Sequence, residues 1–235
     1  MNHGVNRRAN HSVNRDAILR DFDPTLYFVT DTALCGARGV VETVRQAVAG
    51  GVTCVQVRAK DVSTAQCLAL LTEVANAVGD RVPVIVDDRV DVYLAARLRG
   101  AAVHGVHVGQ SDLPVDVVRA LVGEDAIVGW SANTADHLDV IGRLPPDTVN
   151  YLGIGVIRAT ATKPDHPAPL GIDGFEQLRL RTALPCVAIG GISLDDVAAL
   201  RAAGAAGAAV VSALCAAEDP RSIAASFRRE WDRAA

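Results

Sequence analysis

Eight short apolar runs, rich in β-branched residues, recur along the chain with helical patterns between them. They are Thr25–Thr30, Val52–Val57, Val82–Asp87, Gly105–Val108, Ala126–Trp130, Thr148–Gly153, Pro185–Ile189 and Ala208–Ser212. Each is nearly continuously apolar rather than alternating, the pattern of parallel strands covered on both faces. The intervening segments at Val40–Ala49, Ser63–Val78, Val90–Leu98, Pro114–Leu121, Thr134–Ile141, Asp173–Thr182, Leu194–Ala203 and Pro220–Trp231 carry helical spacing. Ser63, Thr134, Asp173 and Ser193 read as N-caps, and Pro114 fits a first turn. Gly50, Gly79, Gly123 and Gly204 fall where helices should stop. Eight strand–helix units in one chain predict a single (β/α)8 TIM barrel, with an open doubly wound sheet as the alternative. A length of 235 residues suits one such domain. Residues 21–235 are assigned to the barrel and residues 1–20, polar and repeating a His-x-Val-Asn-Arg pattern, to a flexible tail.

Composition removes several classes. Half of the residues are hydrophobic and 21% are charged, enough for a substantial core. The formal net charge of −4 argues against a nucleic-acid surface. No apolar run reaches the roughly 18–20 residues of a membrane span, and the N-terminal arginines precede no apolar block. Cys35, Cys54, Cys67, Cys186 and Cys215 are odd in number and scattered, as expected of reduced cytoplasmic thiols. His3, His11, His104, His137 and His166 have no zinc spacing. A homo-oligomer is compatible with the sequence, which holds no feature that fixes an assembly.

A barrel places active residues just after the strands. After the second run come Gln56, Arg58 and Lys60, which alternation puts on one side. They fit an anion clamp that also hydrogen-bonds a heterocycle; alone, they fit a solvated strand end equally well. The third run ends in Asp87 and Asp88, and the fourth leads to Asp112. Either acidic point by itself suits a helix cap or turn. Together, carboxylates from neighbouring strands suit Mg²⁺, which takes one or two of them plus phosphate oxygens. Ser131 follows the fifth run, and taken alone it reads as a loop serine. The sixth run opens into VIRATATKPD, Val156–Asp165, with Thr160 and Thr162 one residue apart and Lys163 next. Its alternation predicts an extended piece with both threonine hydroxyls on one side and Lys163 on the other. Gly190-Gly191 after the seventh run allows close backbone approach to a phosphate, or simply a left-handed turn.

These residues, in this order, resemble the thiamine-phosphate synthase family from about Leu26 to Pro220. The pieces are QVRAK (56–60), VDD (86–88), GVHVGQSD (105–112), GWSANT (129–134), YLGIGVIRATATK (151–163), AIGGI (188–192) and VVSAL (210–214). The resemblance implies a TIM-barrel transferase that uses Mg²⁺ to condense hydroxymethylpyrimidine diphosphate with hydroxyethylthiazole phosphate. It assigns the pyrimidine diphosphate to Gln56, Arg58, Lys60, Asp87, Ser131 and Lys163, of which Arg58, Lys60, Ser131 and Lys163 are catalytic. It assigns the metal to Asp88 and Asp112, and the thiazole phosphate to Thr160, Thr162, Gly191, Val211 and Ser212. The chain departs at Asp87, where the family commonly has Asn, a donor that an ionised carboxylate cannot replace. The rival readings are a thiazole tautomerase-like barrel, needing no diphosphate clamp, and a non-catalytic phosphate-binding relative.

Overall fold

The computed structural model describes residues 22–160, 162 and 168–234. The tail assigned to 1–20, and Lys163, lie outside them. Eight parallel strands close into a barrel in sequence order. They are β1 Leu26–Val29, β2 Cys54–Val57, β3 Val84–Asp87, β4 Gly105–Val108, β5 Ile127–Ser131, β6 Tyr151–Gly155, β7 Cys186–Ile189 and β8 Gly207–Val210. The sheet closes with Phe28 paired to Val210. The larger helices between strands are α1 Val40–Ala49, α2 Thr64–Val78, α3 Val90–Leu98, α4 Val115–Val122, α5 Ala135–Ile141, α6 Gly171–Arg179 and α7 Val197–Ala202. A short α8, Ser212–Cys215, follows β8, and α9, Pro220–Arg233, completes the ring.

Two cores result from strands that are apolar on both faces. One lies between strands and helices, and includes Phe28, Val44, Leu71, Val84, Leu152 and Leu200. The other fills the barrel itself with Tyr27, Val29, Cys54, Ile85, Ile127, Tyr151, Val187 and Ala209. Strand interiors therefore need both residue parities to be apolar, which is the run-like pattern of the sequence.

Caps fix where the helices begin. Ser63 Oγ accepts from Gln66 N at 3.3 Å and Gln66 Oε1 accepts from Ser63 N at 2.9 Å, a closed capping box. Thr134 Oγ1 accepts from His137 N. Four expectations need correction. Helix α6 begins at Gly171, with φ +66, so Asp173 sits inside its first turn and caps nothing. Pro114 precedes α4 rather than entering it. Strand β8 ends at Val210, so Ser212 opens α8 instead of ending a strand. The segment expected as one helix from Leu194 divides into a 3₁₀ turn, Leu194–Asp196, and α7. Ser193 N and Oγ both donate to Asp196 Oδ2 there, at 2.9 and 2.8 Å.

Candidate active site

A cleft of about 370 Å³ opens at the C-terminal rim of the strands. Gln56, Arg58, Lys60, Asp87, Asp88, Asp112, Ser131, Thr160, Thr162, Gly191, Val211 and Ser212 all line it. Strand ends bring them together from β2 through β8, the placement that barrel geometry requires of a functional rim.

The cationic side is held by carboxylates. Arg58 N donates to Thr30 Oγ1 at 3.0 Å, which ties the ends of β1 and β2. The Arg58 guanidinium contacts Asp31 at 3.3 Å and Asp87 at 3.7 Å. Lys60 Nζ lies 3.1 Å from Asp88 Oδ2. Burial lowers the Lys60 ammonium pKa, but Asp88 and Asp87 outweigh that and raise it overall. The pairs leave an arginine and a lysine side by side at one rim, braced but still facing the cleft.

The acidic side is crowded. Asp88 adopts φ +60, a left-handed conformation that Asp tolerates better than most side chains. Its N–H donates to His107 O at 2.8 Å, so β4 fixes its position. Asp112 Oδ2 accepts from Gly109 N at 2.7 Å. Burial pushes the Asp112 carboxyl above its ordinary range, against the pull of the Gly109 N–H, and a hydrogen bond with Asp88 adds to the rise. Two neighbouring carboxylates offering all-oxygen donors fit a hard divalent cation such as Mg²⁺. Among the described residues no group of three or more His, Cys, Asp or Glu side chains forms a metal cage. A cation here would complete its coordination with ligand and water oxygens.

Burial raises the Asp87 carboxyl from an ordinary 3.8 to about 7, with Asp88 adding to the rise and Lys60 and Arg58 opposing it. When protonated, Asp87 can donate a hydrogen bond as Asn does. A carboxyl with a raised folded pKa contributes stability fully below about 3.8 and loses it as pH rises through about 7. The stability advantage of Asp87→Asn over wild type should therefore grow between those values in metal-free protein. Urea unfolding in chelator across that range checks this; parallel pH profiles would contradict it.

The corner of the cleft between the loops after β6 and β7 is built from glycines. Gly190 and Gly191 have φ +97 and +65. A Cβ on Gly190 would stand 2.3 Å from Val156 Cγ1, and one on Gly191 2.8 Å from Arg158 O. Both glycines let the loop after β6 lie directly against the loop after β7. That contact is latched by Arg158, whose Nε and Nη2 donate to buried Asp196 Oδ1 at 2.9 and 2.5 Å. Thr162 N donates to Thr160 Oγ1 at 3.2 Å, and the two hydroxyls are 3.3 Å apart. The two threonines are thus bonded to one another rather than only aligned on one side of the segment, as Thr acceptors commonly bond a backbone N–H two residues on. The hydroxyls still sit together at the cleft.

Sequence reasoning missed Asp31, Arg158, Asp196 and three side chains inside the barrel: Tyr27, His107 and Tyr151. Asp31 is separated from Arg58 by a whole strand–helix unit, so no local pattern marks it. For two of the interior three, His107 and Tyr151, the available signal is inward parity next to glycine: both are register partners of Gly129 on β5. A Cβ on Gly129 would stand 2.4 Å from His107 Nδ1 and 2.3 Å from the Tyr151 hydroxyl. Burial pulls the His107 imidazole down from 6.5 to about 4, with Asp112 opposing.

Comparison with known proteins agrees with this architecture. The profile of a family described as thiamine monophosphate synthase matches residues 26–214. The thiamine-phosphate synthase of Psychrobacter sp. (strain PRwf-1) is 41% identical over 214 residues, covering 91% of this chain and 95% of the relative. That of Corynebacterium efficiens is 44% identical over 202 residues, covering 86% and 92%. Among solved structures, thiamine phosphate pyrophosphorylase from Pyrococcus furiosus superposes with a TM-score of 0.79 at 28% identity, covering 92% of this chain and 98% of that one. Tryptophan synthase subunit alpha from Legionella pneumophila, at 16% identity and a TM-score of 0.63, shares the fold alone.

Proposed function

This chain belongs to the thiamine monophosphate synthase family, and from that premise we propose that it joins 4-amino-5-hydroxymethyl-2-methylpyrimidine diphosphate to hydroxyethylthiazole phosphate, releasing diphosphate and thiamine phosphate. It is a transferase. The observation that carries the reading is the juxtaposition of Arg58 and Lys60 with the Asp88–Asp112 pair at one rim of the barrel. A diphosphate needs both halves of that arrangement. A tautomerase acting on the thiazole phosphate alone would need neither.

In this reading Arg58, Lys60 and Lys163 hold the diphosphate. Asp87 in its protonated form donates to it, and Gln56 and Ser131 contact the pyrimidine portion. Thr160, Thr162, Gly191, Val211 and Ser212 hold the thiazole phosphate, with the two glycine amides free to approach its oxygens. The C–O bond to diphosphate breaks heterolytically, and its electron pair leaves with the diphosphate. Arg58, Lys60 and Lys163 stabilise the charge that develops there. The electron-rich aminopyrimidine tolerates the cation left on its methylene carbon. The thiazole nitrogen lone pair then forms the new C–N bond. No side-chain nucleophile or general base is used, and catalysis is positioning, electrostatics and exclusion of water. Asp88 and Asp112 would hold Mg²⁺, which when bound supplies Lewis-acid stabilisation of the departing oxygens.

No helix among the described residues is long and apolar enough to cross a membrane. All five cysteines are buried and free. Both facts support a cytoplasmic biosynthetic enzyme acting on small phosphorylated substrates.

The test is a magnesium titration of thiamine phosphate formation. Asp112→Ala should raise the half-saturating Mg²⁺ concentration by about tenfold or more, the loss of one charged ligand contact. An unchanged titration removes Asp112 from the metal site. No product at any Mg²⁺ concentration, from wild-type protein, overturns the synthase reading.

A further inference from the structure

A line of hydrogen bonds runs through the middle of the barrel, between two residues that face the cleft. Gln56 Nε2 donates to the Tyr27 hydroxyl at 3.2 Å. The Tyr27 and Tyr151 hydroxyl oxygens are 2.7 Å apart. Tyr151 lies 2.9 Å from His107 Nδ1. His107 Nε2 lies 3.1 Å from Ser131 Oγ. Tyr27 and Tyr151 are 2% and 1% exposed and Gln56 is 4% exposed, so water does not complete these bonds. The rings of Tyr27 and His107 flank Tyr151 at centroid distances of 5.7 and 5.5 Å, which holds the line in place.

Proton counting gives the line a direction. An amide nitrogen only donates, so the Tyr27 oxygen accepts from Gln56. The Tyr27 proton then goes to the Tyr151 oxygen, because its other neighbour, the Cys54 thiol, is a poor acceptor. The Tyr151 proton goes on to His107 Nδ1, which must be bare to accept it. A proton on Nδ1, in the other tautomer or in the imidazolium, would turn the Tyr151 proton back toward Tyr27. The Tyr27 oxygen would then receive two donors while its own buried proton had no oxygen to reach, an arrangement that carries the cost of an unmade buried hydrogen bond.

We propose that His107 is a positioning residue, held by Tyr151 as the Nε2–H tautomer, that donates to Ser131 Oγ and so turns the Ser131 hydroxyl proton toward the cleft. Ser131 presents a donor to the ligand, and Gln56, its N–H committed inward, presents its carbonyl oxygen. The inference rests on the synthase reading only for the identity of the ligand. Gly129 makes the device fit, since any side chain there would occupy the space of Tyr151 and His107.

The experiment is ¹⁵N NMR of the enzyme with labelled histidine rings, at pH about 7, with His107→Gln used to identify the signal. The expected spectrum is a bare Nδ1 and a protonated Nε2. A protonated Nδ1, as tautomer or imidazolium, reverses the line and overturns the proposal. Tyr151→Phe, which keeps the ring, should mix the tautomers and raise KM for the pyrimidine diphosphate by about tenfold, while KM for the thiazole phosphate stays near wild type. A purely structural role would move both KM values or neither, and either outcome overturns the positioning role. Inactive wild-type protein with the expected spectrum would sink the synthase reading and leave the tautomer assignment standing.

Discussion

Arg58→Ala should reduce kcat by about 10²–10³ at saturating concentrations of both substrates, the loss seen when one preorganised donor is removed from developing negative charge. The side chain stands at the end of β2 with its guanidinium braced by Asp31 at 3.3 Å and Asp87 at 3.7 Å. Its backbone is tied to Thr30 independently of the side chain, so the strand end should keep its place in the variant. Only the positive charge and its planar donors are lost. Asp87 would then face the cleft, and Asp31 would stand behind it, without their nearest guanidinium, which weakens diphosphate binding as well as its departure. Arg58→Lys should recover part of the rate, because a point charge replaces the fork that can meet two oxygens at once. Far-ultraviolet circular dichroism and a melting curve close to wild type would establish that the fold survives. A wild-type kcat in Arg58→Ala would remove this residue from the chemistry.

Gly129→Ala should cost about 1–3 kcal/mol of stability, the range for overpacking a filled core, and should depress turnover with it. Its β-carbon would stand 2.2 Å from Tyr151 Cζ and 2.4 Å from His107 Nδ1. The Tyr151 ring is hemmed in, since Phe22 and Tyr27 pack on it at 5.1 and 5.7 Å. Gly142→Ala is the matched control. Its φ is −62 and the nearest atoms to its β-carbon would be carbonyl oxygens at 3.7 Å, an ordinary contact. Urea unfolding should separate the two variants clearly. Equal midpoints would mean that the barrel interior accommodates the methyl group, contrary to the packing described.

Much of this architecture was legible from residues alone, for a physical reason. Strands buried on two faces must be apolar at both parities, so runs such as Val82–Asp87 and Ala126–Trp130 announce themselves. Barrel closure then puts every strand end on one rim, which is why Gln56, Arg58, Lys60, Asp88, Asp112 and Ser131 line one cleft. What stayed hidden depends on register and on partners distant in sequence. Periodicity shows that His107 points inward, but only the pairing of β4, β5 and β6 shows that Gly129 lies between it and Tyr151. Asp31 joins Arg58 from the far end of a strand–helix unit. Local chemistry caused the remaining errors. Gly171 starts a helix before the Asp173 cap, and Thr160 accepts from Thr162 N, a local bond that alternation does not show.

The two carboxylates that look like liabilities in this cleft support one another's role. Asp88 and Asp112 crowd each other, and Asp87 is driven toward its neutral form beside them. A protein that had only to bind a phosphate would gain nothing from that acidic cluster. A site that must hold a divalent cation against a diphosphate uses both signs of charge at once. The assignment therefore stands or falls on product accounting with the purified protein. Incubated with Mg²⁺, the pyrimidine diphosphate and the thiazole phosphate, it should release thiamine phosphate and diphosphate in equal amounts, and neither when one substrate is left out. Consumption of the thiazole phosphate alone, or diphosphate release without thiamine phosphate, would contradict the account.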